Sequence, residues 1–435
     1  MTSADSGRCL DLAVVLPALN EASNLELLLP ALSSTFAELG LSADVIVVDG
    51  GSTDRTIAVA EKFGARVLKQ QRPGYGGALL EGFAAVRNAP FVLTMDADLS
   101  HRPTFVRDLW AAREKADLIV ASRYVPGGAS ATFLARRALS RLLNVVFARA
   151  LSVPVHDSSS GYRLYRRHVL NSLSVAATDF AILPELLISL FAEGYRIVEV
   201  PFQFASRGAG RSHVQLARFG VSYLRTLRRL WRLRNSIESA DYDFRAHDSA
   251  IWLQRYWQRT RHRIVLDFAR DRGRTLDVGC GSSRILRDLP GAIGVDVLLR
   301  KLRFLRPMHP EVVQASVFAL PFPDASFDTV ICSEVIEHVP DDPNVLGELS
   351  RVLKPNGTLV LGTPDYGRVS WLILEWAYGK VAPGGYAHEH ITHFTRRSLR
   401  DRLTSLGYET LDCQYVGASE MIFKARSGIE RAADA

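Results

Sequence analysis

Asp96 and Asp98 stand two residues apart, directly after the apolar run Phe91–Thr94. On extended chain, residues two apart point the same way, so both carboxylates can face one cleft. Oxygen-only ligands favour a hard divalent cation, magnesium or manganese. A diphosphate leaving group, whose charge grows as its bond breaks, is what such a cation neutralises. Upstream, VIVVDGGSTDRT (residues 45–56) gives another strand end followed by a glycine turn. Past the middle of the chain, LDVGCGSSR (residues 276–284) gives a strand, a turn with Gly279 and Gly281, and the start of a helix. Such a turn brings backbone close to a ligand and aims a helix N-terminus at it. Asp296 closes the next strand, where a carboxylate suits a ribose diol. Arg284 stands where a dinucleotide-binding loop has its third glycine, which disfavours an oxidoreductase.

These residues need rigid strand ends to position them. Apolar runs at 12–16, 45–48, 90–94 and 118–121, and again at 275–278, 292–295, 329–332 and 358–361, alternate with helical patterns. That alternation predicts parallel α/β sheets in both halves. Leu25, Leu28, Leu29, Leu32, Phe36 and Leu39 mark one amphipathic helix, stopped by Gly40. At 435 residues the chain fits two domains, divided here as 1–235 and 236–435 with 236–255 as a linker. Hydrophobic residues make up 47% and charged residues 23%, with mean hydropathy +0.04, as in globular proteins. The four cysteines (Cys9, Cys280, Cys332, Cys413) have no metal-ligand spacing and suit a reducing compartment. No segment reads as a signal peptide or as a bilayer-spanning helix. Of the net charge of +7, the first 235 residues hold an excess of eight, 28 Lys and Arg against 20 Asp and Glu. That excess suits diphosphates or acidic headgroups, while the lack of an aromatic-interleaved basic stripe disfavours nucleic acid.

From about Leu12 to Leu230 the chain resembles family 2 glycosyltransferases of the dolichol-phosphate mannose synthase group. LPALNEASNL (16–25) is similar to the first nucleotide loop, with Pro17, Asn20 and Glu21 in place; VDGGSTD (48–54) is similar to the base-binding loop, with Asp49. MDADLSHRP (95–103) matches the metal motif, implying Asp96 and Asp98 as diphosphate–metal residues. The resemblance implies Arg123 near the donor, Arg136 and Ser140 as an acceptor-phosphate pair, SSGYRLYRR (159–167) as the acceptor loop, and Arg207 to His213 as a closing loop. Gly50 replaces a second aspartate, leaving GDP and UDP open; His213 replaces a lysine; and the spanning tail of some relatives has no counterpart. The glycine-rich stretch 72–82 fits either a flexible surface loop or donor contact.

From about Tyr256 to Lys424 the chain resembles class I S-adenosylmethionine-dependent methyltransferases of the small-molecule type. ALPFPDASFDTVICSEVIEHVPDD (319–342) and LSRVLKPNGTLVLGTP (349–364) follow the glycine loop in the family's order. The resemblance implies Asp277, Gly279, Gly281 and Asp296 as cofactor residues, with Glu334 and His338 near the transfer site. Ser316 stands where many relatives place an adenine-binding aspartate. His388, His390 and His393 lie in one short stretch, read as a substrate loop in preference to a metal site. His338 fits a catalytic base or a helix cap.

The implied fold is a GT-A type nucleotide-sugar domain followed by a Rossmann-like methyltransferase domain. The implied function joins metal-dependent, inverting sugar transfer to a polyprenyl-phosphate acceptor with methylation of a small molecule or glycan. Two alternatives stand beside it: transfer to a sugar hydroxyl, which needs a carboxylate base, and one domain serving only to bind its ligand. Residues 216–232 set Leu216, Phe219, Tyr223, Leu224, Leu227, Leu230 and Trp231 opposite Arg218, Arg225, Arg228, Arg229 and Arg232. This helix fits either docking on a domain or lying in a membrane interface. The expected location is cytoplasmic, peripheral to a membrane.

Overall fold

The computed structural model describes residues 10–131, 134–205, 216–270, 273–381 and 390–428, without the side chains of 134–136, 216–221 and 377–381. The chain forms two compact units that part between Trp231 and Arg232, the second also taking Ala192–Gly194.

In the first unit the expected apolar runs are strands: β1 (Leu12–Ala18), β2 (Ala43–Asp49), β3 (Arg66–Lys69), β4 (Phe91–Thr94) and β5 (Leu118–Ser122). A short pair, β6 (Ala129–Ser130) with β9 (Gln203–Phe204), lies apart from β7 (Arg163–Arg166) and β8 (Ile197–Pro201), which complete a sheet ordered β3-β2-β1-β4-β7-β5-β8. β7 is antiparallel to both β4 and β5, so the sheet is not wholly parallel as expected. The helices are α1 (Ala22–Leu39), α2 (Thr56–Lys62), α3 (Gly74–Ala85), α4 (Val106–Ala111), α5 (Leu134–Leu151), α6 (Ile182–Ala192) and α7 (Leu216–Arg234). α1 buries Leu25, Leu28, Leu29, Leu32 and Phe36 and ends at Gly40 in the left-handed region, φ 66. The glycine-rich stretch is not a flexible loop. It opens α3, where a side chain on Gly76 or Gly77 would strike the backbone of 177–178 or Arg72 within 2.8 Å.

β7 was not legible as a strand because it begins on a charged residue that the fold hides. Arg163 is wholly buried, and its guanidinium donates to Ser160 O (2.7 Å), Ser158 O (2.7 Å) and Leu183 O (2.8 Å). It thereby ties the loop before β7 to α6.

The second unit adds α8 (Tyr242–Ala246), α9 (Trp252–Ala269), α10 (Ile285–Asp288), α11 (Leu299–Leu305), α12 (Pro343–Val352), α13 (Val369–Val381) and α14 (Arg396–Ser405). The stretch 236–255, read as linker, therefore holds α8 and the start of α9. Its sheet comprises β10 (Thr275–Val278), β11 (Ile293–Asp296), β12 (Val312–Gln314), β13 (Phe327–Ser333), β14 (Leu353–Pro364), β15 (Tyr408–Val416) and β16 (Glu420–Ser427), ordered β12-β11-β10-β13-β14-β16-β15. β16 alone is reversed, pairing antiparallel with β14 and β15. Alternate residues feed opposite cores: Val330, Leu359 and Phe423 pack with α12 and α14, whereas Ile331, Val360 and Ile422 pack with α9. The sheet is thus covered on both faces.

Replacing Arg163 by leucine leaves three buried carbonyls without donors, each costing ~1–3 kcal/mol. Hydrogen exchange read by mass spectrometry should show raised exchange across 157–190 and unchanged exchange in 275–364; unchanged exchange in both would contradict the tie.

Candidate active sites

In both sheets the first strand lies between the second and the fourth: β2-β1-β4 in one and β11-β10-β13 in the other. Connections from the central strand and its neighbour leave on opposite sides there, opening a crevice at the carboxyl ends where ligands bind. The predicted residues that follow β1, β2 and β4, and those that follow β10, β11 and β13, lie at these strand ends.

In the first unit, the loop after β1 is laced to the loop after β2. Asn20, at φ 57, accepts from the Thr53 N–H at 2.8 Å and donates its own N–H to Ser52 Oγ at 2.9 Å. The Glu21 N–H donates to Thr56 Oγ1 at 2.9 Å, and Asp54 accepts from the Ala22 N–H at 3.2 Å. Asp49 is buried and accepts from the Gly51 and Ser52 N–H groups (3.1 and 3.2 Å), so its carboxylate shapes this loop. Pro17 sits beside Val48 within the β1–β2 pairing. Asp54, Thr56 and Ser52 complete the lacing and were not singled out from sequence.

Asp96 and Asp98 follow β4. Asp96 Oδ1 accepts from Tyr75 Oη at 3.1 Å, and the Asp96 N–H donates to His101 Nδ1 at 2.8 Å. Asp98 Oδ1 accepts from the Ser100 N–H (3.1 Å) and Ser100 Oγ (2.5 Å). Burial lowers the His101 pKa despite the nearby carboxylates, favouring the neutral ring. Neutral hydroxyl and amide groups thus hold both carboxylates, with the imidazole anchoring the Asp96 backbone, a set that fits a hard divalent cation. Tyr75 was missed in the sequence; stacked on Phe180 at 4.4 Å, it is delivered by the glycine-rich start of α3.

Arg123, expected near the donor, has buried partners of its own. Its guanidinium is bidentate on buried Asp157, Nε to Oδ2 and Nη2 to Oδ1 both at 2.7 Å, and Nη2 also reaches Ser159 Oγ at 2.8 Å. Burial opposes the Asp157 charge, but Arg123 more than offsets it and keeps that carboxyl below the usual range. Arg123 therefore ties down the loop at 157–159. Ser140, on α5, accepts from Tyr124 Oη at 2.8 Å. Asn144, one turn on, binds Ser158 and Ser159. The Arg136 side chain, and Arg207 and His213 altogether, lie outside the described residues.

In the second unit a cavity of about 530 Å³ opens at the crevice, lined by Asp277, Gly279, Gly281, Asp296, Ser316 and Glu334, with His338 also on its wall. Asp296 accepts from the Gly281 N–H and the Leu298 N–H, both at 2.8 Å, drawing the glycine turn onto β11. Gly279 has φ 70, and a side chain there would come 2.1 Å from Val335 Cγ2. Protein packing thus already demands glycine at 279, before any ligand approaches. Asp277 Oδ2 is buried without a hydrogen-bond partner. Burial, then the charge of Asp296, pushes Asp277 up to about 7. An orphaned carboxylate oxygen beside the strand-end carboxylate of Asp296 fits a cofactor that brings both a diol and cationic groups.

Sequence reading missed three supports here. Asp243 of α8 accepts from Ser282 N–H and Oγ (both 3.1 Å) and pairs with Lys301 Nζ at 2.7 Å, fixing the far side of the turn. Arg261 of α9 bridges Glu420 (2.6 Å) and Glu334 (3.0 Å). Glu334 itself sits at φ 62, a strained conformation for a non-glycine residue. Ser316 receives the Phe318 N–H at 3.3 Å, and Phe318 joins it in the cavity lining.

A raised carboxyl pKa favours the fold below the unfolded value and costs stability as pH rises through the folded value. The cofactor-free second unit should therefore melt lower at pH 8 than at pH 5. Asp277→Asn should shrink that difference by on the order of 3 kcal/mol, read from thermal unfolding followed at both pH values. An unchanged pH slope would contradict the assignment; Glu337, pushed up to about 8 by burial, retains its own contribution in the variant.

Known proteins show the same division. The glycosyl transferase family 2 model matches residues 13–174, and a methyltransferase domain model matches residues 249–412. The polyprenol monophosphomannose synthase of Mycolicibacterium smegmatis is 31% identical over 241 residues, 52% of this chain and 89% of that protein. The dolichol-phosphate mannosyltransferase of Pyrococcus furiosus is 30% identical over 237 residues, 52% of this chain and 65% of that one. Among solved structures, glucosyl-3-phosphoglycerate synthase from Mycobacterium tuberculosis, in complex with Mn2+, UDP and its product, matches 52% of this chain and 79% of its own at 26% identity and a TM-score of 0.39. With the paired carboxylates after β4 and the glycine turn after β10 each inside its matched span, the chain belongs to glycosyl transferase family 2 through its first half and carries a methyltransferase domain in its second.

Proposed function

We propose that the chain is a bifunctional transferase: it moves a sugar from a nucleotide diphosphate to a polyprenyl phosphate, and a methyl group from S-adenosylmethionine to a small molecule or glycan. The observation that carries the first half is the pairing of Arg123 with Asp157. A sugar-hydroxyl acceptor needs a carboxylate base, and the buried acid of the acceptor loop is committed to an arginine. A phosphate monoester, with a second pKa near about 6, is already anionic and needs no base. The similarity to polyprenol- and dolichol-phosphate mannosyltransferases supports the same acceptor.

In this reading Asp96 and Asp98 hold magnesium or manganese, which supplies charge neutralisation at the leaving diphosphate. Asn20, Asp49 and the lacing between their loops shape the nucleotide pocket. Gln70, whose Oε1 lies 3.1 Å from where a side chain on Gly50 would begin, takes the place of the absent second aspartate. Ser140, with Arg136, binds the acceptor phosphate, which attacks in line with inversion. In the second unit Asp296 takes the ribose diol and Asp277 the cationic end of the cofactor. Phe318 offers an apolar face for adenine beside Ser316, and Glu334 and His338 face the methyl acceptor.

A polyprenyl chain stays in a bilayer, so the enzyme must meet the surface. No helix among the described residues is long and apolar enough to cross a membrane. α7 does not present its whole apolar face: Tyr223 packs on Phe147 of α5 at 5.4 Å, Leu230 is buried, and Arg229 pairs with buried Glu185 at 2.5 Å. α5 instead exposes a stripe of Leu139, Leu142, Val145 and Val146 beside Ser140. This stripe is the proposed bilayer contact, with Arg225 and Arg228 of α7 adding attraction to anionic headgroups.

Incubation with GDP- and UDP-sugars, magnesium and polyprenyl phosphate should give a glycosylated lipid by mass spectrometry. Asp98→Ala should abolish the product while adenosylmethionine binding persists; a product on sugar hydroxyls alone would overturn the acceptor. Leu142→Ser with Val146→Ser should move the protein from anionic vesicles to the supernatant in sedimentation and spare transfer to a short, soluble acceptor. Full sedimentation of that variant would place the contact elsewhere.

A further inference from the structure

Glu337 and His338 are neighbours in the turn after β13, His390 comes from a separate loop of the second unit, and each offers a ligand atom within 4.8 Å of the others. We infer that they form a divalent-cation site on the acceptor side of the methyl-transfer cavity, of the zinc or manganese class, that binds an oxygen of the methyl acceptor. The inference rests on the methyltransferase reading only for what the cation meets, not for the cation itself.

Three independent features point to a cation. Glu337 is fully buried, and Thr363 Oγ1 donates to its Oε2 at 3.1 Å while Oε1 has no hydrogen-bond partner. An unsatisfied buried carboxylate oxygen is costly unless something positive meets it. His390 is oriented from behind: its Nδ1 lies 2.8 Å from Tyr366 Oη and 3.2 Å from Glu375 Oε1, and Tyr366 Oη donates to the same carboxylate oxygen at 2.8 Å. A proton on Nδ1 directed at Glu375 leaves the Nε2 lone pair toward the cluster, and Nε2 is buried without a hydrogen-bond partner. A carboxylate behind a histidine whose other nitrogen is unengaged is how metal-binding imidazoles are held. Finally, the loop carrying His390 is pinned to the turn carrying Glu337: the Ile391 and Thr392 N–H groups donate to Glu337 O at 2.7 and 3.1 Å. The triad is therefore prearranged rather than a chance approach of side chains.

Two imidazoles and one carboxylate suit zinc, manganese or iron better than calcium or magnesium, and three protein ligands leave positions for an exogenous oxygen. His338 also lines the cofactor cavity, so those positions lie next to it. The acceptor class that fits is a molecule with a hydroxyl or vicinal diol beside the methylated atom. The stretch read as a simple substrate loop then contributes a metal ligand through His390.

The test uses the full chain carrying Asp96→Asn and Asp98→Asn, which removes the cation site of the first unit. Titration with ZnCl2 or MnCl2 alone, by calorimetry, should show one ion per chain, and cobalt should give visible bands of histidine coordination. Adding His390→Ala should abolish binding; Glu375→Gln, which alters only the support behind the histidine, should weaken it ~10–100-fold. Titration of the same samples with S-adenosylhomocysteine reports folding. If His390→Ala also loses that binding, Glu375→Gln decides. No ion on the parent, or unchanged affinity in Glu375→Gln and His390→Ala, overturns the site. A chain that binds the ion but no S-adenosylhomocysteine would instead overturn the methyltransferase reading and leave the site standing.

Discussion

Both halves of this protein depend on one constraint: a parallel run of strands, β3-β2-β1-β4 and β12-β11-β10-β13, whose chain leaves its central strand first to one side and then to the other. β1 and β4 pair as far as Val15 and Thr94, and β10 and β13 as far as Val278 and Cys332, beyond which their connections diverge. Loops there must satisfy themselves, and the short lacing of Asn20 to Thr53 and of Gly281 to Asp296 is how they do so. A crevice with polar rims is the by-product, and in the proposed function each half uses it for a different ligand.

What was legible in the sequence follows from the same geometry. Strands buried on both faces are continuous apolar runs, so β1, β2, β4, β5, β10, β11 and β13 were readable directly, as was the apolar part of β14. The reversed strands β7 and β16, and the edge strand β15, were not. β7 begins on a buried arginine, β16 mixes Glu420, Lys424 and Arg426 with its apolar residues, and β15 has one half-exposed face. Their pairing is set by partners far along the chain, which no local period records. The carboxylate pair and the glycine turns were legible because each chemistry needs its residues close in sequence.

Residues that act through distant partners were hidden. Tyr75 reaches Asp96 across 21 positions, Asp243 reaches Ser282 across 39, and Arg261 reaches Glu420 across 159. Arg123 was singled out, but its bidentate partner Asp157, 34 positions away, was not. Buried pairs of this kind add little net stability over apolar packing, but losing one partner is costly. They fix loop positions, which is what both crevices require.

The central claim is that two independent ligand sites sit at these two strand ends. Hydrogen exchange of the full chain, measured with UDP or GDP plus magnesium and separately with S-adenosylhomocysteine, tests it most directly. The nucleotide should protect segments 19–24, 49–56 and 95–101 alone, and S-adenosylhomocysteine should protect 279–284, 296–299 and 316–319 alone. Protection of both sets by one ligand, or of neither by its own, would contradict the account.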